Sequence, residues 1–166
     1  MNEPDLGLLL LRVGAGLTLA AHGYSKFFRG GRIKGTAGWF DSIGMRPGRL
    51  HAYLAACTEL GAGLLLALGL LTPFAGAGMV GVMFVAAWTV HRPKGFFSAD
   101  DGWEYTWILG LIGVSVATIG PGDWSIDGVL GIDDNLVGLV GLAIAAGLGL
   151  VAGGLQVAVF WRPGDG

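Results

Sequence analysis

The sequence predicts an all-α integral membrane protein in which four or five membrane-crossing helices form one small bundle. Two observations predict this class. Hydrophobic residues make up 53% of the 166 positions and charged residues only 13%, whereas roughly 25% of an ordinary soluble domain is charged. Long apolar runs also recur along the chain, most of them close to or above the ~20 residues that cross a ~30 Å hydrocarbon core. These runs leave room for a single membrane domain over residues 1–166.

The apolar runs predict the individual helices. The first run follows an acidic start and is interrupted by Arg12, so we interpret it as a retained helix rather than a cleavable signal. In the first long connection, Trp39, Phe40 and Ile43 recur at helical spacing and predict an amphipathic helix in the membrane interface, over about 36–45. The predicted transmembrane helices cover about 6–28, 50–71, 73–91, 103–119 and 136–161.

Glycine supplies 32 of the 166 residues. Such a composition weakens helices in water but suits close approach between helices in lipid. Two pairs of small residues one turn apart indicate packing surfaces of this kind: Ala77 with Gly81, and Gly149 with Gly153.

The basic residues are distributed on one side of the predicted bundle. Nine of the ten Lys and Arg residues fall in or beside the connections of that side, and only Arg12 lies within a span. By the positive-inside rule this side is cytoplasmic, so we expect the N-terminus outside, the C-terminus inside and five crossings. The nine are Lys26, Arg29, Arg32, Lys34, Arg46, Arg49, Arg92, Lys94 and Arg162.

Composition also limits partners and cofactors. A net charge of −2 gives no reason to expect a nucleic-acid partner. The single cysteine, Cys57, rules out a disulfide within the chain, an iron–sulfur cluster and CxxC redox chemistry. His22 and His91 have matching depths and could in principle ligate a b-type haem, but they sit at the membrane edge, so haem is not expected. No metal site is predicted.

Two ionisable residues lie deep in the predicted spans, where a charge costs about 2.5–3.5 kcal/mol or more. Counted at ~1.5 Å per residue from helix ends at Gly23 and Leu50, Arg12 lies ~16 Å deep and Glu59 ~14 Å. We therefore predict that Arg12 and Glu59 meet as an ion pair near the midplane. Such a pair either only fixes the first two helices in register or handles a substrate or protons.

A second polar group is predicted at the cytoplasmic edge of the bundle. His91 and Glu104 reach the same membrane level as His22, and Lys26 follows His22 by one turn. Imidazole and carboxylate groups beside an apolar chamber could couple proton transfer to a lipid-soluble quinone. The alternatives are a set of helix-end hydrogen bonds and, for Lys26, an interface anchor. The polar stripe of the first helix is Arg12, Ala15, Leu19, His22 and Lys26.

The remaining polar residues are interpreted as solvated. His51 begins the second predicted helix and is expected to lie at the interface. Four aspartates precede the last span on the side without basic residues, and a solvated loop is expected there. They are Asp123, Asp127, Asp133 and Asp134.

Taken together, these motifs resemble the DoxX family of bacterial membrane proteins over roughly residues 6–130. The usual core of that family is four helices, so the resemblance implies a DoxX-type four-helix transmembrane bundle with an additional C-terminal transmembrane helix. The motifs that carry the resemblance are Arg12, His22-Gly23 with Lys26, Glu59, Gly69-Leu70-Leu71-Thr72-Pro73, Thr89-Val90-His91, Gly95-Phe96-Phe97, Glu104-Tyr105 and Gly120-Pro121-Gly122.

The resemblance implies a redox association in a bacterial plasma membrane. Family members include the membrane subunit of a thiosulfate:quinone oxidoreductase, and mycobacterial members are linked to a membrane complex with a sulfurtransferase and a superoxide dismutase. We therefore expect a quinone-linked oxidoreductase subunit, with His22, His91 and Glu104 as catalytic residues. Lys26, Arg12 and Glu59 are the expected substrate-binding residues.

Two other functions stay open. The first is a non-catalytic anchor that recruits soluble redox enzymes of the sulfurtransferase or superoxide dismutase type through its basic cytoplasmic connection. The second is a transporter of a small solute or protons that uses Arg12 and Glu59. The sequence also leaves open whether the chain forms a homo-oligomer.

Overall fold

The computed structural model of the protein describes residues 3–132 and 135–164. Its long elements are helices that run alternately up and down one bundle, which confirms the predicted all-α membrane fold. Four helices are long and apolar enough to cross a membrane, and α5 is shorter. The helices are α1 (Glu3–Phe28), α2 (Arg32–Ser42), α3 (Gly48–Leu68), α4 (Thr72–Lys94), α5 (Glu104–Ile119), α6 (Ile126–Leu130) and α7 (Gly138–Phe160).

The two ends of the bundle differ in charge. The basic end is formed by α2, the loops beside it, the end of α4 and the end of α7, and it carries the nine clustered Lys and Arg residues. The acidic end is formed by the start of α1, the α3–α4 turn and the segment around α6. Two of the aspartates assigned to this segment, Asp133 and Asp134, lie outside the described residues.

Helices α1 and α3 are in close contact because glycine replaces side chains along their shared face. A Cβ atom at Gly16 would lie 2.5 Å from the carbonyl oxygen of Gly63, and one at Gly63 would lie 2.5 Å from the amide nitrogen of Ala20. Real Cβ atoms do not approach so closely, so larger residues would force the helices apart. Towards the basic end, Gly23 packs in the same way against the backbone of residues 56–60. These contacts fix the register of α1 against α3.

Helix α7 is packed into the bundle through the two predicted small-residue pairs. A Cβ at Gly149 would lie 2.8 Å from the carbonyl oxygen of Ala77, and one at Gly153 would lie 2.9 Å from that of Gly81. The two pairs therefore face each other across the α4–α7 contact. The additional C-terminal helix is part of the helix packing rather than a peripheral attachment.

Backbone hydrogen bonds tie the end of α7 to the loop between α2 and α3. The amide of Arg162 donates to the carbonyl of Gly44 (2.8 Å), and the amide of Arg46 donates to the carbonyl of Phe160 (3.3 Å). The indole N–H of Trp161 donates to the carbonyl of Ile43 (3.0 Å). As a result, α2, α3 and α7 hold one another at the basic end.

The structure overturns the interpretation of His51 as a solvated interface residue. His51 is fully buried, with its ring 5.0 Å from that of Phe160 and 6.0 Å from that of Phe40. The side-chain amide of Gln156 donates to its Nδ1 (2.9 Å). Its Nε2 has no hydrogen-bond partner among the described residues. The prediction was wrong because the elements that cover His51, α2 and α7, are distant from it in sequence.

Asp127 is also buried, against the prediction of a solvated loop. Its carboxylate accepts hydrogen bonds from the amides of Leu71 (2.8 Å) and Thr72 (2.9 Å) and from the Thr72 hydroxyl (2.7 Å). Leu71 is the N-cap and Thr72 the first residue of α4, where N–H groups lack partners within the helix. Asp127 therefore caps α4 from the segment around α6.

Replacement of this cap should destabilise the bundle. Asp127→Ala leaves two amide donors and a hydroxyl without acceptors, and we expect the free energy of unfolding to fall by about 2–4 kcal/mol. Denaturant unfolding in detergent micelles measures the change. Asp123→Ala is the matched control because Asp123 is exposed in the same segment, and its effect should stay within about 0.5 kcal/mol. Equal effects of the two substitutions would contradict the assignment.

Candidate functional site

The candidate site is a cavity of about 270 Å³ at the basic end of the bundle. Helices α1, α3, α4 and α5 form its walls, and Trp39 and Phe40 of α2 close it. Most of the other lining side chains are apolar. The polar lining side chains are His22, Lys26, Glu59, Thr89, His91, Tyr105 and Thr106.

A buried ion pair lies at the centre of this group. Lys26 Nζ is 2.5 Å from Glu59 Oε2, and the side chains are 21% and 8% exposed. Lys26 follows Gly23 by three residues and so lies on the same face of α1. Because Gly23 packs against the α3 backbone next to Glu59, the ammonium group reaches the carboxylate directly. The glycine contact therefore positions the ion pair.

The predicted ion pair between Arg12 and Glu59 is not formed. Arg12 is buried near the acidic end, where its guanidinium donates to the backbone carbonyls of Ala67 and Trp124. The prediction assumed that Gly23 and Leu50 lie at the same depth. In the structure Gly23 packs against residues 56–60, an offset of at least six residues, or ~9 Å. The offset brings Lys26 rather than Arg12 beside Glu59.

His22 lies on the seam between α1 and α5. Helix α1 packs mainly against α3, and α5 mainly against α4, so α1 and α5 share little contact. The His22 and Tyr105 rings bridge this seam, with centroids 6.3 Å apart and a tilt of 48°. Both residues are exposed on the bundle surface and also line the cavity. The seam is therefore the side on which the cavity approaches the lipid.

His91 enters the cavity from the end of α4. One ring nitrogen, Nδ1, lies 2.6 Å from the carbonyl oxygen of Asp101, so the loop after α4 orients the ring. A salt bridge from Lys94 to Asp101 (3.0 Å) closes the same loop. The hydrogen bond from Lys94 and the positive charge of its ammonium group lower the pKa of the Asp101 carboxyl below the ordinary value. The loop is thus held together most firmly when Asp101 is ionised, and this tie is lost as the pH falls through that lowered pKa.

Glu104 does not contribute to the cavity, although the sequence grouped it with His22 and His91. Its Oε2 accepts a hydrogen bond from the amide of Ser98 (2.9 Å) in the loop before α5. Glu104 is the first residue of α5, and helical side chains point back toward the N-terminus. Its carboxylate therefore reaches the loop rather than the bundle interior.

The described residues contain no group of three or more His, Cys, Asp or Glu side chains placed to hold a metal ion. The six predicted site residues fall in three places, with Glu104 at the loop before α5. Four of them, His22, Lys26, Glu59 and His91, line one cavity, and Arg12 lies at the opposite end.

The comparison with protein families matches residues 7–92 to the DoxX model. The matched range is more than half of the chain, and it contains every polar residue of the cavity except Tyr105 and Thr106. The chain belongs to the DoxX family.

The DoxX chain is similar to two bacterial proteins. An uncharacterized membrane protein of Mycobacterium tuberculosis, Rv3486, is 29% identical over 137 residues, covering 75% of this chain and 82% of the relative. A Bacillus subtilis protein named "Putative oxidoreductase CatD" is 34% identical over 110 residues, covering 66% of this chain and 78% of the relative. No solved structure gives a significant match.

Sequence reasoning missed Tyr105 as a site residue of the DoxX chain, although it adjoins Glu104. The buried face of α5 includes Thr106, Leu109 and Gly113, and a 3.6-residue period puts Tyr105 at the edge of that face while Glu104 points away. That periodicity is the signal that could have distinguished the two neighbours. No comparable signal in the sequence indicates that Trp39 and Phe40 close the cavity.

The stability of the bundle should depend on both partners of the Lys26–Glu59 ion pair being present or both being absent. Glu59→Leu alone leaves the Lys26 ammonium without a counter-charge, and we expect unfolding to become easier by about 2–4 kcal/mol. The double variant Lys26→Met with Glu59→Leu removes both charges and should recover most of that loss, because a pair of apolar residues needs no desolvation. Thermal unfolding in detergent measures both. A double variant as unstable as the single one would show that the pair is not the cause.

Proposed function

We propose that this DoxX protein is the membrane subunit of a redox system and binds a quinone head group in the cavity at its basic end. One observation carries the proposal. A membrane-embedded cavity holds an ion pair, two imidazoles and a phenol within otherwise largely apolar walls. Intramembrane ionisable residues are costly and usually mark a substrate or proton path.

The size and lining of the cavity suit a single quinone ring. Drug-sized ligands occupy pockets of roughly 300–1,000 Å³, so a volume of about 270 Å³ fits a small planar head group and excludes a nucleotide cofactor. The apolar side chains Met83, Val85 and Val90 supply contacts for the ring. The seam at His22 and Tyr105 offers a lateral route from the lipid.

The chain's own residues would bind the head group and deliver protons. When bound, a quinone accepts two electrons and two protons and becomes a quinol. The ammonium of Lys26 and the imidazole of His22 can donate hydrogen bonds to carbonyl oxygens. Glu59 can hold a proton and exchange it with Lys26 across 2.5 Å. His91, oriented at Nδ1 by the Asp101 carbonyl, can contact the head group through Nε2 and pass protons from the basic end.

This assignment changes two expected roles. Glu104 was expected to be a catalytic residue, but its carboxylate accepts a hydrogen bond from the loop before α5, so Glu59 supplies the carboxylate that exchanges protons in the proposal. Lys26 was expected to bind substrate, but its charge is already compensated by Glu59. We therefore assign the electrons to a soluble redox enzyme that docks at the basic end rather than to a small anion bound in the cavity. The printed name of the B. subtilis relative, an oxidoreductase, supports a redox role.

A non-catalytic anchor is the second candidate. It is favoured by the surface of the basic end, which presents cations together with Trp39 (45% exposed) and Phe97 (65% exposed). A transporter built on an Arg12–Glu59 pair is not supported, because Arg12 bonds the Ala67 carbonyl, eight residues or ~12 Å beyond Glu59 along α3, and Glu59 pairs with Lys26.

Quinone binding can be tested with the purified protein. We expect His22→Ala and His91→Ala each to weaken binding of a short-chain ubiquinone or menaquinone analogue roughly fivefold, the effect of losing one hydrogen bond worth about 1 kcal/mol. Equilibrium binding by isothermal calorimetry and quinone extraction from the preparation measure this. Glu104→Gln should bind normally, because its carboxylate lies outside the cavity.

The opposite pattern would sink the proposal. If both histidine variants bind the analogue as the wild type does, the cavity is not a quinone site. If, in addition, a soluble redox enzyme still co-purifies with these variants but not with variants neutralised at Arg29, Arg32 and Lys34, the anchor function stands instead.

We also propose that the basic end faces the cytoplasm of a bacterial plasma membrane, since Lys and Arg concentrate in cytoplasmic connections. In a Cys57→Ser background, Lys34→Cys should resist a membrane-impermeant thiol reagent in intact cells and react after lysis. Leu130→Cys, at the acidic end and exposed, should react before lysis. The reverse labelling pattern would invert the orientation.

A further inference from the structure

A groove lies between α4 and α5 on the side away from the candidate site, and α7 covers part of this groove. The α4–α5 groove consists of two adjoining hollows of about 240 and 290 Å³ that share Phe84, Ala87 and Trp103. Met83 and Thr106 line both this groove and the candidate site, so they form the wall between them. The groove does not belong to the quinone cavity.

The deeper hollow is almost entirely apolar. Among its lining side chains, only the indoles of Trp103 and Trp107 and the hydroxyl of Thr106 carry polar atoms, and Thr106 Oγ1 already donates to the Trp103 carbonyl (2.7 Å). Gly110 leaves part of the wall open, because a Cβ there would meet its nearest neighbour, the Met83 Cβ, only at 4.0 Å. Such a surface favours a hydrocarbon chain.

A cation marks the mouth of the groove. Arg92 lines the outer hollow, and its guanidinium carbon lies 4.4 Å from the centroid of the Trp88 ring. Stacking on an aromatic face holds a guanidinium in place while leaving its N–H groups free to donate. The ion pairs formed by the described residues do not include Arg92. An anionic head group would find a positioned, uncompensated charge.

The length of the groove matches one membrane leaflet. From Arg92 to Val80 it follows α4 for 12 residues, or ~18 Å, and half of a ~30 Å hydrocarbon core is ~15 Å. Two π-helical segments, Ala87–His91 and Ala143–Leu148, border it, and interruptions of this kind are frequent at functional sites.

We propose that the α4–α5 groove binds an anionic phospholipid of the leaflet at the basic end, with its phosphate at Arg92 and one acyl chain along Phe84 and Gly110. The charge at the mouth selects the anionic lipid, since a zwitterionic lipid or an uncharged isoprenoid would gain little from the guanidinium. The site depends on α7, because Ala146 and Leu150 complete its wall. It is independent of the proposed quinone site.

The test uses lipids with brominated acyl chains, which quench tryptophan fluorescence on contact. The protein is reconstituted in phosphatidylcholine vesicles containing brominated phosphatidylglycerol or brominated phosphatidylcholine. We expect the wild type to favour the anionic lipid. Arg92→Gln should lower this preference roughly fivefold, the effect of about one basic residue near a charged surface. Arg49→Gln removes an exposed cation outside the groove and should leave the preference unchanged.

A second pair of variants tests the apolar hollow. Gly110→Leu fills it and should reduce quenching by both brominated lipids, whereas Gly147→Leu, exposed on the bundle surface outside the groove, should not. Equal quenching of the wild type by the two lipids would overturn the proposal. So would a preference that survives Arg92→Gln, or one that Arg49→Gln reduces as much.

Discussion

The contact between α1 and α3 determines most of what the molecule can do. Gly16, Gly23 and Gly63 remove the side chains that would otherwise separate the two helices, and the resulting register allows little sliding. At one end of this contact the register sets Lys26 beside Glu59, and at the other it sets Arg12 beside the Ala67 carbonyl. The glycines of the α1–α3 contact therefore set the register that brings the partners together in both polar arrangements.

The bundle compensates its buried charges in different ways at its two ends. At the basic end a carboxylate contacts an ammonium group directly, and both line a cavity that can admit a ligand. At the acidic end the partners are backbone groups: carbonyls for Arg12, and amides together with a hydroxyl for Asp127. Backbone partners belong to fixed elements and leave little freedom to exchange protons. This difference is why we propose a chemical role for the basic end and a structural one for the acidic end.

The sequence predicts the membrane class, the four long apolar helices α1, α3, α4 and α7, and the polar face of α1, because these depend on local composition and period. It does not predict the register of α1 against α3, since that depends on which glycines meet. For the same reason Arg12 was paired with Glu59 in place of Lys26. His51 and Asp127 escaped prediction because the residues that bury them come from elements far along the chain. Glu104 was assigned to the cavity because it lies at the same membrane level as His22. As the first residue of α5, however, its side chain points back to the preceding loop.

The capture of Arg12 by two distant carbonyls bears on how the protein is made. Ala67 follows Arg12 by 55 residues and Trp124 follows it by 112. At about 5–20 residues per second, a ribosome needs roughly 6–22 s to reach Trp124 after Arg12. During this interval the guanidinium of the first helix lacks the Trp124 carbonyl as a partner, and a charge within a span is costly. Although α1 is synthesised first, the full set of hydrogen bonds that buries Arg12 is therefore available only after about three-quarters of the chain has been made.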